Sequence, residues 1–281
     1  MGDTALVLGG GGLTGIGWEI GILRGLADQG LDLSTADTVI GTSAGAVVGA
    51  QITSGRLGLD ALYERQLAAP KGEIAASMGA GMFARYALNA LRSRTPEAYG
   101  RHLGRMALAT RTAPESARLA VLAQRLLSHD WPEEQHLVIT VVDAATGAFR
   151  AIDRDSGVKL VDAVAASCAV AGVWPPVTID GRRWIDGGIR SSANADLAAG
   201  YAKVVIVAPL ALGGGPLPTP AKQAAALAAA GARVTLITPT REARRAFGRN
   251  VLDPARRAPA ARAGLAQAPA HVDEVGKVWT G

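Results

Sequence analysis

The sequence predicts an α/β fold: a three-layer α/β/α sandwich on a mostly parallel central sheet, interrupted by a helical insertion. Three observations carry this. Short apolar runs alternate with stretches of helical spacing from Thr4 to Ile237. The first two runs each end in a glycine-containing turn from which a helix continues, the strand–turn–helix unit of a parallel sheet covered on both faces. From about 57 to 130 the pattern is helical with no convincing strand, which marks the insertion.

Taken in order, Thr4-Ala5-Leu6-Val7-Leu8 is a strand that stops at Gly9 to Gly12, and Ile16 to Gln29 is the following helix, through Ile20, Leu23 and Leu26. Thr38-Val39-Ile40 is a second strand ending at Gly41, and Ala44 to Ser54 continues as a helix of small and apolar residues. The insertion is rich in Ala, Arg and Leu and is broken by Pro70, Gly79, Gly81, Pro96 and Pro114. His136 to Val142 returns to strand character, and the turn Ala145-Thr146-Gly147-Ala148 sends Phe149-Arg150-Ala151-Ile152 back as a hairpin. Val161 to Val170 suits a buried small-residue helix. Val177-Thr178-Ile179 and Arg183-Trp184-Ile185 flank Asp180-Gly181, a second hairpin signal, and deliver Asp186-Gly187-Gly188. Lys203 to Ala208 and Ala232 to Ile237 are the last strands, with an Ala-rich stretch from Pro216 to Gly231 between them. Arg241 to Asn250 reads as a helix, and the Pro/Ala-rich remainder of the extension from about 240 to 281 is expected to pack loosely. The whole of 1–281 is expected to be a single domain.

Hydrophobic residues at 49% and charged residues at 19%, with no long polar tract, exclude a mainly disordered chain. Met1 to Gly12 hold Asp3 as their only charge and lack a secretory signature, and no apolar run reaches the ~20 residues of a membrane span, so a cytoplasmic protein is expected. The single cysteine, Cys168, forms no internal disulfide, and four scattered histidines show no metal-ligand spacing. No metal and no cofactor are expected. The net charge of +5 and pI near 9.7 suit a phosphate-bearing surface, including peripheral membrane contact, while 4% aromatics give no stacking platform for single-stranded nucleic acid. The oligomeric state is open.

Gly41-Thr42-Ser43-Ala44-Gly45 matches G-x-S-x-G, in which flanking glycines permit the sharp strand-to-helix turn that exposes a nucleophilic serine. The bland reading is a small-residue turn whose serine caps the helix. Gly10-Gly11-Gly12 lies before a helix, where amides can converge on an oxyanion. The same stretch through Gly15 also fits a dinucleotide-binding loop, but the acid that should end the second strand is replaced by Gly41-Thr42-Ser43. A serine hydroxyl needs a base. His102, His129 and His136 have no persuasive context, and His271, which would complete a Ser–Asp–His order, sits in the Pro/Ala-rich tail. Asp186 follows a strand and precedes Gly187 and Gly188, so its carboxylate can stand at the sheet's edge; its bland reading is a turn aspartate.

Together, the glycine loop after Leu6-Val7-Leu8, the G-x-S-x-G after Val39-Ile40, and Ala166 to Pro176 leading to Asp186-Gly187-Gly188 resemble the patatin-like phospholipase family in order and spacing. The resemblance spans most of residues 4–210. It implies Ser43 as nucleophile, Asp186 as base in a dyad without histidine, Gly10, Gly11 and Gly12 as oxyanion donors, and hydrolysis of a fatty acyl ester of a lipid through an acyl-enzyme. Gly41, Gly45, Gly187 and Gly188 would support the two motifs. Two positions depart from the family pattern: Thr14 stands where the loop has Arg or Lys, and Ala171 where a proline follows the small-residue helix. The departures bear on substrate choice more than on reaction class. The alternative is a noncatalytic lipid- or protein-binding scaffold of the same fold.

Three further features have two readings each. Cys168, among alanines, reads as a small buried hydrophobe before a reactive thiol. Asp143 caps a turn or supports the site. Met78, Met82, Phe83, Tyr86, Leu88 and Leu91 in the insertion are core residues or a lid and interfacial patch.

Overall fold

A computed structural model describes residues 3–69, 76–211, 213 and 215–281. The predicted break at Pro70 lies outside the described residues. Eight strands form one sheet: β1 (Thr4–Leu8), β2 (Thr38–Gly41), β3 (His136–Asp143), β4 (Phe149–Ile152), β5 (Val177–Ile179), β6 (Arg182–Asp186), β7 (Lys203–Val207) and β8 (Arg233–Ile237). Their order is β5-β6-β3-β2-β1-β7-β8, with β4 paired to β3. The run β3-β2-β1-β7-β8 is parallel, and the hairpins add antiparallel pairs at β3–β4, β3–β6 and β5–β6.

Beyond their polar first residues, Thr4, Thr38 and Lys203, the strands β1, β2 and β7 carry no polar side chain because both faces are covered. Leu6, Leu8, Val39, Val205 and Val207 face one core layer with α1 (Gly12–Ala27), α2 (Ala44–Ile52) and α7 (Leu160–Ser167). Their neighbours Ala5, Val7, Ile40, Val204 and Ile206 face the other, with Leu227 of α8 (Pro220–Ala229). The period-two alternation thus divides the strands between two helical layers, and the architecture is the predicted α/β/α sandwich. The insertion comprises α3 (Leu59–Leu67), α4 (Ala80–Arg92), α5 (Pro96–Ala109) and α6 (Glu115–Arg125), with no strand among its described residues. The first helix starts at Gly12, four residues before the expected Ile16, because the glycine loop itself forms its first turn.

The C-terminal extension departs from expectation. It folds into α9 (Arg241–Phe247), α10 (Arg257–Gln267) and α11 (Val272–Trp279), and α10 lies tightly along α1 rather than loosely. Small residues make that approach possible: a Cβ at Gly21 would overlap the Ala261 carbonyl oxygen, and one at Gly264 would overlap the Trp18 carbonyl oxygen. Alanine-rich composition therefore signals close helix packing here, not a loose tail. The same substitution in two helices separates the effects. Gly21→Ala is expected to destabilise the protein by about 2–3 kcal/mol, because backbone on both sides must move. Gly276→Ala in α11, where an added Cβ meets nothing within 4 Å, is expected to stabilise it by about 0.5–1 kcal/mol. Urea unfolding of the two variants beside wild type reads both signs.

Candidate active site

Ser43 sits between the end of β2 and the start of α2 with φ 54° and ψ −110°, a conformation that side-chain-bearing residues rarely hold. It occupies the helix N-cap position, yet its side chain makes no capping hydrogen bond. The hydroxyl instead lies near enough to the Asp186 carboxylate to pull its pKa down. The Ser43 N–H donates to Ser167 Oγ at 2.9 Å, and Cys168 Sγ–H donates to the Ser43 carbonyl at 3.3 Å, so the end of α7 grips the elbow. Gly45 is obligatory: a Cβ there would overlap the Leu8 carbonyl oxygen, and its N–H donates to Gly9 O at 3.0 Å. Gly41 ends β2 against Ile139 of β3.

Asp186 ends β6, paired with Val141, two residues further along β3 than Ile139. This shared strand brings the two motifs together across 143 residues of sequence. Its N–H donates to Ala169 O at 3.1 Å, and Oδ1 accepts the Gly188 N–H at 2.7 Å. Burial pushes its carboxyl up to about 7; the Gly188 N–H and the Ser43 hydroxyl pull it down by less. A carboxylate at this value can take a proton from a serine and return it. Gly187 packs its backbone against Thr140, where a side chain would not fit.

The glycine loop lies beside Ser43: a Cβ at Gly10 would stand 3.6 Å from Ser43 Cβ. The Gly10 N–H is committed to Ser192 O at 2.7 Å. By contrast, the N–H groups of Gly11, Gly12 and Ala44 donate no hydrogen bond among the described residues. Gly12 takes φ 61°, and Gly11 and Gly12 form the N-terminal end of α1, as Ala44 does of α2. Two helix N-termini therefore converge on one serine, an arrangement suited to a developing negative charge. Thr14 is fully buried and donates its hydroxyl to Gly11 O at 3.2 Å, so the residue that departs from the family pattern braces the loop from within.

Beneath the pair runs a polar tie that the sequence reading missed. Asn194 Nδ2 lies within 3.0–3.3 Å of Thr42 Oγ1, Thr140 Oγ1, Gly187 O and Ser191 O, and Thr42 Oγ1 and Thr140 Oγ1 are 2.9 Å apart. One buried amide thus links the end of β2, the middle of β3 and the turn after β6. Asn194 belongs to no motif weighed from the sequence, and only its left-handed φ of 52° sets it apart locally; Ala44 and Ser167 lie inside the sequence motifs but were given no role there.

A narrow cavity of about 30 Å³ opens over Ser43 and Ala44. Leu13, Ile16, Val170, Trp174 and Leu252 form apolar walls, and Arg118 and Arg125 of α6 contribute cationic groups, the former with its guanidinium 3.9 Å from the Trp174 ring centre. The model of the family described as patatin-like phospholipase matches residues 6–199 of this chain. The chain belongs to the patatin-like phospholipase family. No curated protein matches this patatin-like chain significantly. Among solved structures it is similar to VipD from Legionella pneumophila, at 14% identity and TM-score 0.48, over 97% of this chain and 67% of that one. It is also similar to the type III effector protein ExoU, at 12% identity and TM-score 0.42, over 98% of this chain and 53% of that one. The patatin-like chain thus spans about two thirds of the first and half of the second.

The four histidines of this patatin-like protein are engaged elsewhere: His102 with Ser93, His129 with Ala123 O, His136 with Asp153, and His271 with Gln267 and Glu274 in the extension. Asp143 caps its own turn through Ala145 and Thr146 and pairs with Arg182. Burial pushes the Cys168 thiol up to about 12, which leaves it protonated and unreactive.

Glu19 of α1 is fully buried with neither carboxyl oxygen hydrogen-bonded within 3.5 Å. Burial holds it well above the ordinary carboxylate range; the nearby Gly9 N–H, already donated to Val207 O at 2.9 Å, pulls it down by less. An unfolded chain releases this proton near 4.5, earlier than the folded one, so its contribution to stability is present below that pH and is lost as pH climbs toward the folded value. Glu19→Gln, neutral and of the same shape, is expected to be more stable than wild type at pH 8 and to lose that advantage at pH 4. Urea midpoints at the two pH values measure it.

Proposed function

We propose that this protein hydrolyses fatty acyl esters of lipids, as a phospholipase A, lysophospholipase or esterase, through an acyl-enzyme on Ser43 with Asp186 as base. The observation that carries the reading is a strained serine whose hydroxyl serves no cap and lies beside a buried carboxylate of pKa about 7. Ser43 Oγ attacks the ester carbonyl carbon and its proton passes to Asp186. The oxyanion is held by the N–H groups of Gly11, Gly12 and Ala44, with Gly10 allowing the close approach; its own amide is occupied by Ser192. The proton on Asp186 then goes to the leaving alcohol as the tetrahedral intermediate collapses to the acyl-enzyme. Asp186 next deprotonates a water that attacks the acyl carbon, and the second collapse releases the fatty acid and restores the serine proton.

The apolar lining beside Ser43 has the chemistry to meet the acyl carbons next to the ester, a longer chain having to part these walls, and Arg118 and Arg125 suit an anionic headgroup. We read residues 1–281 as one domain in which the extension supports α1, and the protein as a peripheral visitor to lipid surfaces; among the described residues no helix is long and apolar enough to cross a membrane. The test is fatty-acid release from a panel of phospholipids, lysophospholipids and neutral esters, wild type beside Ser43→Ala. No release from any member by wild type overturns the reading.

A further inference from the structure

Helix α4 is apolar on two opposite sides. On the inner side the Tyr86 O–H donates to Ala171 O at 2.9 Å, and Met82 lies against Gly172, where an added Cβ would stand 2.8 Å from its terminal methyl. On the outer side Phe83, Ala84, Ala87, Leu88 and Leu91 are all exposed, Leu91 at 83%. At about 100° per residue these five occupy one continuous arc of roughly 140°. Among the described residues, the exposed large hydrophobic side chains are Phe83, Leu88 and Leu91 here and Leu108 of α5, so they are concentrated in the insertion rather than scattered. A helix apolar on both sides belongs in a core or against lipid, and this one stands at the surface.

Charge decides the occupant. From residue 80 to 111 the chain carries Arg85, Arg92, Arg94, Arg101, Arg105 and Arg111, all exposed, against Glu97 as the one acid. Arg85 and Arg92 are neighbours on the edge of the apolar arc, where helix geometry sets them level with the headgroups of a layer that the arc enters. A second copy of this chain would set arginines against arginines, whereas anionic lipid neutralises them.

We propose that the outer face of α4 docks this protein on an anionic lipid layer, with Phe83, Leu88 and Leu91 inserted and Arg85 and Arg92 on phosphates. What the docking achieves rests on the lipid-hydrolase reading: the inner face holds Ala171 and Gly172, just beyond the Ala169 carbonyl that accepts the Asp186 amide, so the docked helix sets the Ser43–Asp186 pair at the lipid surface.

Co-sedimentation with phosphatidylcholine vesicles containing phosphatidylglycerol, beside phosphatidylcholine alone, tests it. Wild type binds the anionic vesicles and is released by salt. The double variant Phe83→Asp, Leu91→Asp loses more than about tenfold in vesicle affinity and in hydrolysis of vesicle lipid, with turnover of a soluble short-chain ester unchanged. Leu91→Trp, which removes no apolar surface, shows a blue-shifted emission with anionic vesicles. Undiminished binding by the double variant, or an unmoved tryptophan spectrum, overturns the proposal. So does a wild-type dimer in lipid-free buffer that the double variant dissolves. If wild type turns over no ester at all, the hydrolase reading fails while the binding arms still decide the docking.

Discussion

Ser43→Ala is expected to abolish ester hydrolysis and covalent labelling by a fluorophosphonate probe while the protein remains folded. The two halves of this expectation have separate grounds. The hydroxyl makes no capping bond to α2, and the backbone bonds that hold the elbow, Ser43 N–H to Ser167 and Cys168 to Ser43 O, survive in alanine. Alanine must adopt the same φ of 54°, at a strain close to that of serine, so the change in stability stays within about 1 kcal/mol. Activity has no such reserve. Without Oγ no acyl-enzyme forms, and nucleophile removal from enzymes that act this way lowers turnover on the order of 10⁵–10⁶-fold. Thermal unfolding, probe labelling and fatty-acid release on one preparation check all three statements. A variant that keeps even about 1% of wild-type release would mean that Ser43 is not the nucleophile.

The parts legible in the sequence are those where backbone demands glycine. Gly45 must clear Leu8, Gly12 must take a positive φ, and Gly187 must clear Thr140, so each leaves an unmistakable mark in the chain. The sheet was legible for a related reason: strands buried on both faces read as near-continuous apolar runs, and β1, β2 and β7 match their predicted starts. What escaped are side chains that act through distant partners. Asn194 ties Thr42 and Thr140, 152 and 54 residues away, and nothing in the neighbouring sequence separates it from any loop asparagine. The tail escaped because alanine and glycine describe equally a weakly held segment and a helix pressed against another, and only Gly17, Gly21 and Gly25 of α1, far upstream, supply the matching surface. In α4, apolar residues on both sides left core and interface indistinguishable until Leu91 was found exposed.

Asp186→Asn is expected to lower hydrolysis by about 10⁴-fold, while His271→Ala leaves it unchanged. Asparagine can still accept the Gly188 N–H and meet the Ser43 hydroxyl, so the geometry persists and only the basicity is lost. His271 bonds to Gln267 and stands 3.9 Å from the Glu274 carboxylate in the extension, and is not part of the pair. Because the carboxyl titrates near 7, wild-type kcat/KM should climb with pH and level off above that value, since only the ionised form can accept the serine proton. Stability should run the other way. The folded carboxyl is raised from an ordinary value of 3.8, so the unfolded chain gives up its proton first, and stability present below 3.8 is lost as pH rises to about 7. The asparagine variant lacks the Asp186 part of this slope, keeping that of Glu19, and should exceed wild type at pH 8 by on the order of 2–4 kcal/mol. An active site that destabilises its own fold in the pH range where it works is what a buried base requires: the burial that keeps the carboxylate basic enough to deprotonate Ser43 is the same burial that opposes its charge. A variant that is inactive but no more stable at pH 8 would separate these two effects and show that solvent reaches Asp186, and an active variant would transfer the base to another residue.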